Sequence, residues 1–153
     1  MWGEERMKDW KFTKKIEDMS PEETRERIRE GYEYPMPELF IMPYLGEDEL
    51  VTYRTKDFCA RCPATGIADV YDLTISFVPD GKIPELKSLK LYFNAYQDLP
   101  ISHEHVASKI YEDFLNQVKP KELDLKLVAA VRGGIETIVD TSSSSNGKDK
   151  KEK

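Results

Sequence analysis

The chain has 153 residues, room for one domain rather than two, and enough to bury a core once its charged ends are set aside. Charged residues make up 34%, and no apolar run approaches the roughly 18 residues of a membrane span, so the reading is a soluble protein with no membrane partner. A formal net charge of -6 argues against a protein that grips nucleic-acid phosphates, which leaves small molecules as the expected partners.

Residues 1–18 mix Trp2, Trp10 and Phe12 with Lys and Glu in no sustained period, and read as a weakly ordered arm. The start lacks the basic-then-apolar order of a secretory signal, so the cytoplasm is the expected address. Ser20-Pro21-Glu22-Glu23 is a capping box with Pro at the first helical position, predicting a short helix over 21–31 that stops at Gly31, with polar faces that suit an appendage. One strand is expected around 50–58, and Phe58 to Gly66 reads as a turn-forming stretch. Tyr71, Leu73, Ile75 and Phe77 alternate as a half-buried strand, ended by Pro79-Asp80-Gly81.

Leu86, Leu89, Phe93 and Tyr96 then recur at helical spacing, with Lys87, Lys90, Asn94 and Gln97 on another face, up to about Asp98 ahead of Pro100. Ser102 is the expected cap of a second helix marked by Val106, Ile110, Phe114 and Val118 and closed by Lys119-Pro120. Leu123, Leu125, Leu127, Ala129 and Val131 alternate, Gly133-Gly134 makes a hairpin-length break, and Ile135, Thr137 and Val139 form a last strand. From Thr141 the serines and charges read as a tail. The order predicts an α+β fold, an antiparallel sheet of about four strands with two helices on one face. Its open edges invite pairing between copies. The expected division is an arm with a short helix over 1–45, a catalytic domain over 46–140 and a disordered polar tail over 141–153.

Chemistry concentrates near Cys62. A thiolate is favoured beside a cation, and Arg61 is adjacent, so Cys62 is a candidate nucleophile. The residues leave other readings open: a packed thiol, a Cys59–Cys62 redox pair, or half a zinc site completed by His103 and His105. Asp69 opens a strand, from where a carboxylate can relay protons. His103-Glu104 opens the second helix, where a Glu ordinarily serves the helix dipole.

Four motifs carry a resemblance from about Thr52 to Ile138: Cys62-Pro63-Ala64-Thr65-Gly66 with Asp69 seven residues on, Glu85-Leu86-Lys87-Ser88-Leu89-Lys90-Leu91-Tyr92, His103-Glu104, and Arg132-Gly133-Gly134-Ile135. Together they resemble the NADPH-dependent 7-cyano-7-deazaguanine reductases, the nitrile reductases of queuosine biosynthesis in the tunnel-fold group. The resemblance implies a tunnel fold and NADPH as cofactor, with no metal required. In the implied roles Cys62 is a nucleophile forming a thioimide and Asp69 a proton donor. Pro84, Glu85, Leu86, His103 and Glu104 would bind the 7-deazaguanine base, while Lys87, Lys90, Arg132 and Gly133 would serve the cofactor. It further implies a homo-oligomer built by joining sheets edge to edge, a decamer of two pentamers, with sites between subunits. Ala95 and Gln97 stand where the family has Ser and Arg, removing a cation from the cofactor side. A related amidinotransferase acting on the same base in tRNA, and a zinc-stabilised binding module, are the competing readings.

Overall fold

The computed structural model describes residues 14–143, so residues 1–13 of the arm expected over 1–18, and the tail beyond 143, lie outside the described residues. The rest of that arm holds a 3-10 turn at Ile16–Asp18 and an ion pair from Lys14 to Glu23 at 2.8 Å. The first helix, α1 (Pro21–Tyr32), begins on the expected capping box: the Ser20 side chain accepts from the Glu23 amide at 3.1 Å and the Glu23 carboxylate accepts from the Ser20 amide at 2.8 Å. Rather than standing off as an appendage, α1 is docked. Gly31 is buried, and a Cβ built there would lie 2.1 Å from the Pro100 carbonyl oxygen. Lys109, itself buried, donates to the carbonyls of Tyr32 at 2.5 Å and Tyr34 at 2.8 Å, which satisfies the end of α1. Burial lowers the pKa of that ammonium.

Gly31→Ala tests this docking by its sign. At an unobstructed helical position the change stabilises by about 1 kcal/mol. Here the methyl group meets backbone, so a loss of roughly 1–3 kcal/mol is expected, read as a drop of several degrees in the thermal midpoint. A raised midpoint would mean that α1 is not seated on Pro100.

A short strand, β1 (Ile41–Pro43), pairs antiparallel with β4 (Lys82–Pro84), so the segment after α1 is tied to the body of the molecule. The main sheet is antiparallel and four-stranded, in the order β2 (Val51–Arg61), β3 (Ala68–Val78), β5 (Glu122–Ala129), β6 (Ile138–Ser142). Its inner face, with Leu73, Ile75, Phe77, Leu123, Leu125 and Leu127, is covered by α2 (Leu86–Asn94) and α3 (His103–Val118). The α+β class and the two helices on one face therefore stand as expected. No helix among the described residues is long and apolar enough to cross a membrane.

The first core helix, expected up to about Asp98, ends at Asn94, where the chain tightens into three-residue turns at Tyr96 and Gln97. Four further features differ from the sequence reading, each for a physical reason. Phe58 to Arg61 is strand rather than turn: Lys56 and Asp57 form a bulge between Thr55↔Leu73 and Phe58↔Tyr71, after which the ladder continues to Arg61↔Ala68. Leu86 is 60% exposed because it is the first residue of α2, and Tyr92 takes its place in the core beside Leu89 and Tyr96. The Tyr92 hydroxyl donates to Asp113 of α3 at 2.6 Å and meets the Tyr96 hydroxyl at 2.9 Å, so burying it leaves no orphaned group. Val131 and Ile135 are exposed and Arg132 pairs with Ile135 around Gly133 (φ 58) and Gly134 (φ 79), a turn that leaves the ladder. Pairing resumes only at Val128↔Ile138, and β6 then runs through Thr141 and Ser142, where the tail was expected.

Candidate active site

One end of the sheet gathers the chemically able residues. Cys62 stands at the foot of the loop joining β2 to β3, where its amide donates to the Ile67 carbonyl at 2.9 Å and its carbonyl accepts from the Gly66 amide at 2.8 Å. Two guanidinium groups hold the loop. Arg61 donates to the Gly66 carbonyl at 2.9 Å, and Arg27 of α1 donates to the Pro63 carbonyl at 3.3 Å. Arg61 is itself fixed by Asp98, at 3.0 Å. The sequence reading had Arg61 as the cation beside a thiolate; its guanidinium instead turns to Asp98 and the loop carbonyl, because both acceptors lie within its reach.

The backbone of Arg61 also accepts from the Ile101 amide at 3.0 Å and donates to the Leu99 carbonyl at 2.9 Å. That clasp lays the approach to α3 alongside the end of β2 and brings the first turn of α3, His103 and Glu104, to the Cys62 end of the sheet. Asp69 sits two residues before Tyr71 on the inward face of β3, so strand alternation points both side chains the same way. The Asp69 side chain is only 7% exposed and is ion-paired with Arg132 (Nε to Oδ1, 3.2 Å). Arg132 also donates to the Ala68 carbonyl. The Gly133-Gly134 turn therefore folds back over the start of β3, which is why it leaves the ladder.

Tyr71 is at the centre of this group. Its hydroxyl is 2.7 Å from His103 Nδ1, and the two rings meet edge-on with centroids 5.4 Å apart. Burial, then the negative charges of Asp69, an ionised Cys62 and Glu104, push the pKa of its hydroxyl far up, while Arg132 pulls the other way. One buried phenol thus feels every member of the cluster: Cys62, Asp69, Glu104 and Arg132, with His103 in contact.

The rest of the expected set lies elsewhere. Pro84 is buried at the end of β4; Glu85 caps α2, its carboxylate accepting from the amides of Lys87 at 2.7 Å and Ser88 at 2.8 Å. Those two amides hold the Glu85 carboxyl below its ordinary range. Lys87 and Lys90 are exposed on α2, one turn apart, and Lys90 lines an open groove of about 670 Å³ between α2 and the β2 edge, with Arg54, Cys59, Phe93 and Gln97. Phe58, which lines this groove, pairs with Tyr71 in the β2–β3 ladder, but no side-chain hydrogen bond or ion pair among the described residues links Lys87 or Lys90 to the Cys62 cluster. Two exposed lysines at the start of one helix are a fitting donor set for the phosphates of a dinucleotide.

Both thiols are free, and burial followed by the charge of Asp98 raises the pKa of Cys59. His105 bonds Ser102 Oγ through Nδ1 at 2.5 Å and meets Tyr32 edge-on, and among the described residues no group of three or more His, Cys, Asp or Glu is gathered to hold a metal ion. The expected Ser102 cap makes no side-chain bond to the helix amides, its hydroxyl being taken by His105. Sequence reading passed over Tyr71, Arg27 and Asp98. For Tyr71 a signal was present, since it shares a strand face with Asp69.

A family model described as QueF-like protein matches residues 68–148. The NADPH-dependent 7-cyano-7-deazaguanine reductase of a Nostoc species is 37% identical over 101 residues, covering 66% of this chain and 74% of that one. The protein of the same name from Syntrophus aciditrophicus is 41% identical over 103 residues, 67% of this chain and 74% of its own length. That from Thermotoga maritima is 38% identical over 99 residues, covering 64% and 72%. The crystal structure of the archaeosine synthase QueF-Like in the apo form matches with a TM-score of 0.59 at 21% identity, over 64% of this chain and 96% of that one, a likeness of fold.

Proposed function

The chain belongs to the QueF-like protein family, and from that premise we propose that it reduces the nitrile of 7-cyano-7-deazaguanine to the aminomethyl group, with NADPH, in queuosine biosynthesis. The observation that carries the reading is the convergence of a thiol, a buried carboxylate and a His–Glu pair on one phenol.

A nitrile is a poor hydride acceptor until a sulfur nucleophile makes it imine-like. Asp69 takes the thiol proton as Cys62 Sγ adds to the nitrile carbon, the displaced π pair moves to nitrogen, and Asp69 passes that proton to the nitrogen, giving a thioimide. Bound NADPH supplies a hydride at each of two reductions. After the first, the carbon–sulfur bond breaks and Cys62 leaves as thiolate; after the second, nitrogen takes a further proton through Asp69. The balance is one nitrile, two NADPH and two protons to one primary amine and two NADP+.

Glu104 accepts two parallel N–H donors from the guanine-type edge of the base, and His103 contacts the same edge. Pro84, Glu85 and Leu86 complete the base pocket, Glu85 by way of the helix start it caps. Lys87, Lys90, Arg132 and Gly133 meet the cofactor. Within one chain the lysines stand apart from Cys62, which suits a site completed across a subunit boundary. The single-partner edges β2 and β6 suit the joining of sheets into a homo-oligomer, a decamer of two pentamers. A net charge of -6 suits a free base rather than RNA as the direct partner, and the cytoplasm is the expected compartment.

The test is loss of NADPH absorbance on adding the nitrile base. About two equivalents consumed per nitrile, with the amine as product, are expected from the balance above. No consumption, with transfer of ammonia to a tRNA-borne base instead, would overturn the reductase reading.

A further inference from the structure

We infer that Tyr71 is a positioning residue that fixes the tautomer of His103, so that the ring presents a donor at Nε2 to the carbonyl oxygen of the bound base. The inference rests on the reading of His103 and Glu104 as the base-binding pair.

The geometry allows two arrangements. Either the Tyr71 hydroxyl donates to Nδ1, or Nδ1–H donates to the hydroxyl oxygen. Tyr71 is 1% exposed, and His103 Nδ1 is the one hydrogen-bond partner of its hydroxyl among the described residues. If Nδ1–H were the donor, the phenolic proton would be buried with no acceptor, at the cost of an unmade hydrogen bond. Burial and the neighbouring carboxylates also keep that proton on the phenol, so it is present to be donated. With Nδ1 accepting, a neutral imidazole carries its proton on Nε2. The edge-on packing of the two rings holds the imidazole at this angle.

The consequence is a matched hydrogen-bond code. A guanine-type edge offers two N–H donors and one carbonyl acceptor. Glu104 has acceptors alone and takes the two donors, which leaves the carbonyl oxygen in need of a donor. No described residue engages His103 Nε2, so that nitrogen is available to supply it. An adenine-type edge, with an amino group in place of the carbonyl, would meet donor against donor. Tyr71 thus acts on base selection without touching the base.

Two measurements test this. In ¹⁵N spectra at pH 8, with the chain's two histidines distinguished by a His105→Gln variant, His103 should show a pyridine-type Nδ1 and a pyrrole-type Nε2, and Tyr71→Phe should convert it to a tautomer mixture. In a Cys62→Ala background, 7-cyano-7-deazaguanine should bind about fivefold more weakly when Tyr71→Phe is added. The analogue lacking the carbonyl oxygen should be bound equally with or without that change. A merely structural Tyr71 would weaken both ligands alike. A protonated Nδ1 in the native chain, or an equal loss for both ligands, overturns the inference. Absence of any base binding by the native chain would instead strike the functional reading, and the tautomer measurement would still decide the role of Tyr71.

Discussion

Cys62→Ala is expected to abolish NADPH consumption, lowering turnover by at least about 10⁴-fold, the scale on which removal of a covalent nucleophile acts. The loss should be chemical rather than structural. Cys62 is half-buried in a loop held by its backbone and by Arg61 and Arg27, and its side chain is not part of the apolar core. The thermal midpoint should therefore stay close to that of the native chain. Serine at the same position keeps the shape but offers a much weaker nucleophile at neutral pH, so Cys62→Ser should be nearly as inactive. Turnover within tenfold of native in either variant would mean that hydride reaches the nitrile without prior addition of sulfur.

Asp69→Asn should lower kcat by about 10²–10⁴-fold, the usual contribution of a positioned proton donor. The amide is nearly the same shape and can still accept from Arg132, so Arg132 is not left facing an empty site. What is lost is the proton that the nitrogen requires as negative charge develops. Base affinity, which the proposed site assigns to Glu104 and His103, should change far less than kcat. A kcat reduced by less than threefold would assign proton delivery to another group, and an equal rise in KM would make Asp69 a binding residue instead.

Much of this arrangement was legible in the residues, and the gaps have definite causes. Val106, Ile110, Phe114 and Val118 gave α3 its face because a helix carries its register in local spacing. The alternation Tyr71, Leu73, Ile75, Phe77 gave β3, and extending it back two residues puts Asp69 on the buried face. The bulge at Lys56 and Asp57 broke the same signal in β2: one extra residue shifts the alternation to the other face, so Cys59 and Arg61 read as turn although they are strand. The last strand was expected too early because the Gly133-Gly134 turn answers to a distant partner, the Asp69–Arg132 pair, rather than to its own ladder.

Contacts far apart in sequence account for what was passed over. Tyr71 meets His103 across 32 positions and Arg27 meets Pro63 across 36, separations at which residue type alone says nothing. A tyrosine in an alternating strand looks like core until its hydroxyl is followed to a partner. Helix α1 looked solvated on its polar faces, yet Gly31 allows the close approach to Pro100 that seats it, and a glycine near a helix end reads equally well as a stop signal.

Intact mass after mixing protein with 7-cyano-7-deazaguanine, in the absence of NADPH, bears most directly on the bond at the centre of the account. Addition of a thiol to a nitrile expels nothing, so the native chain should gain the full mass of one base per chain, and the Cys62→Ala chain should gain none. A native chain that stays at its own mass, or a variant that takes up the base equally well, would contradict it.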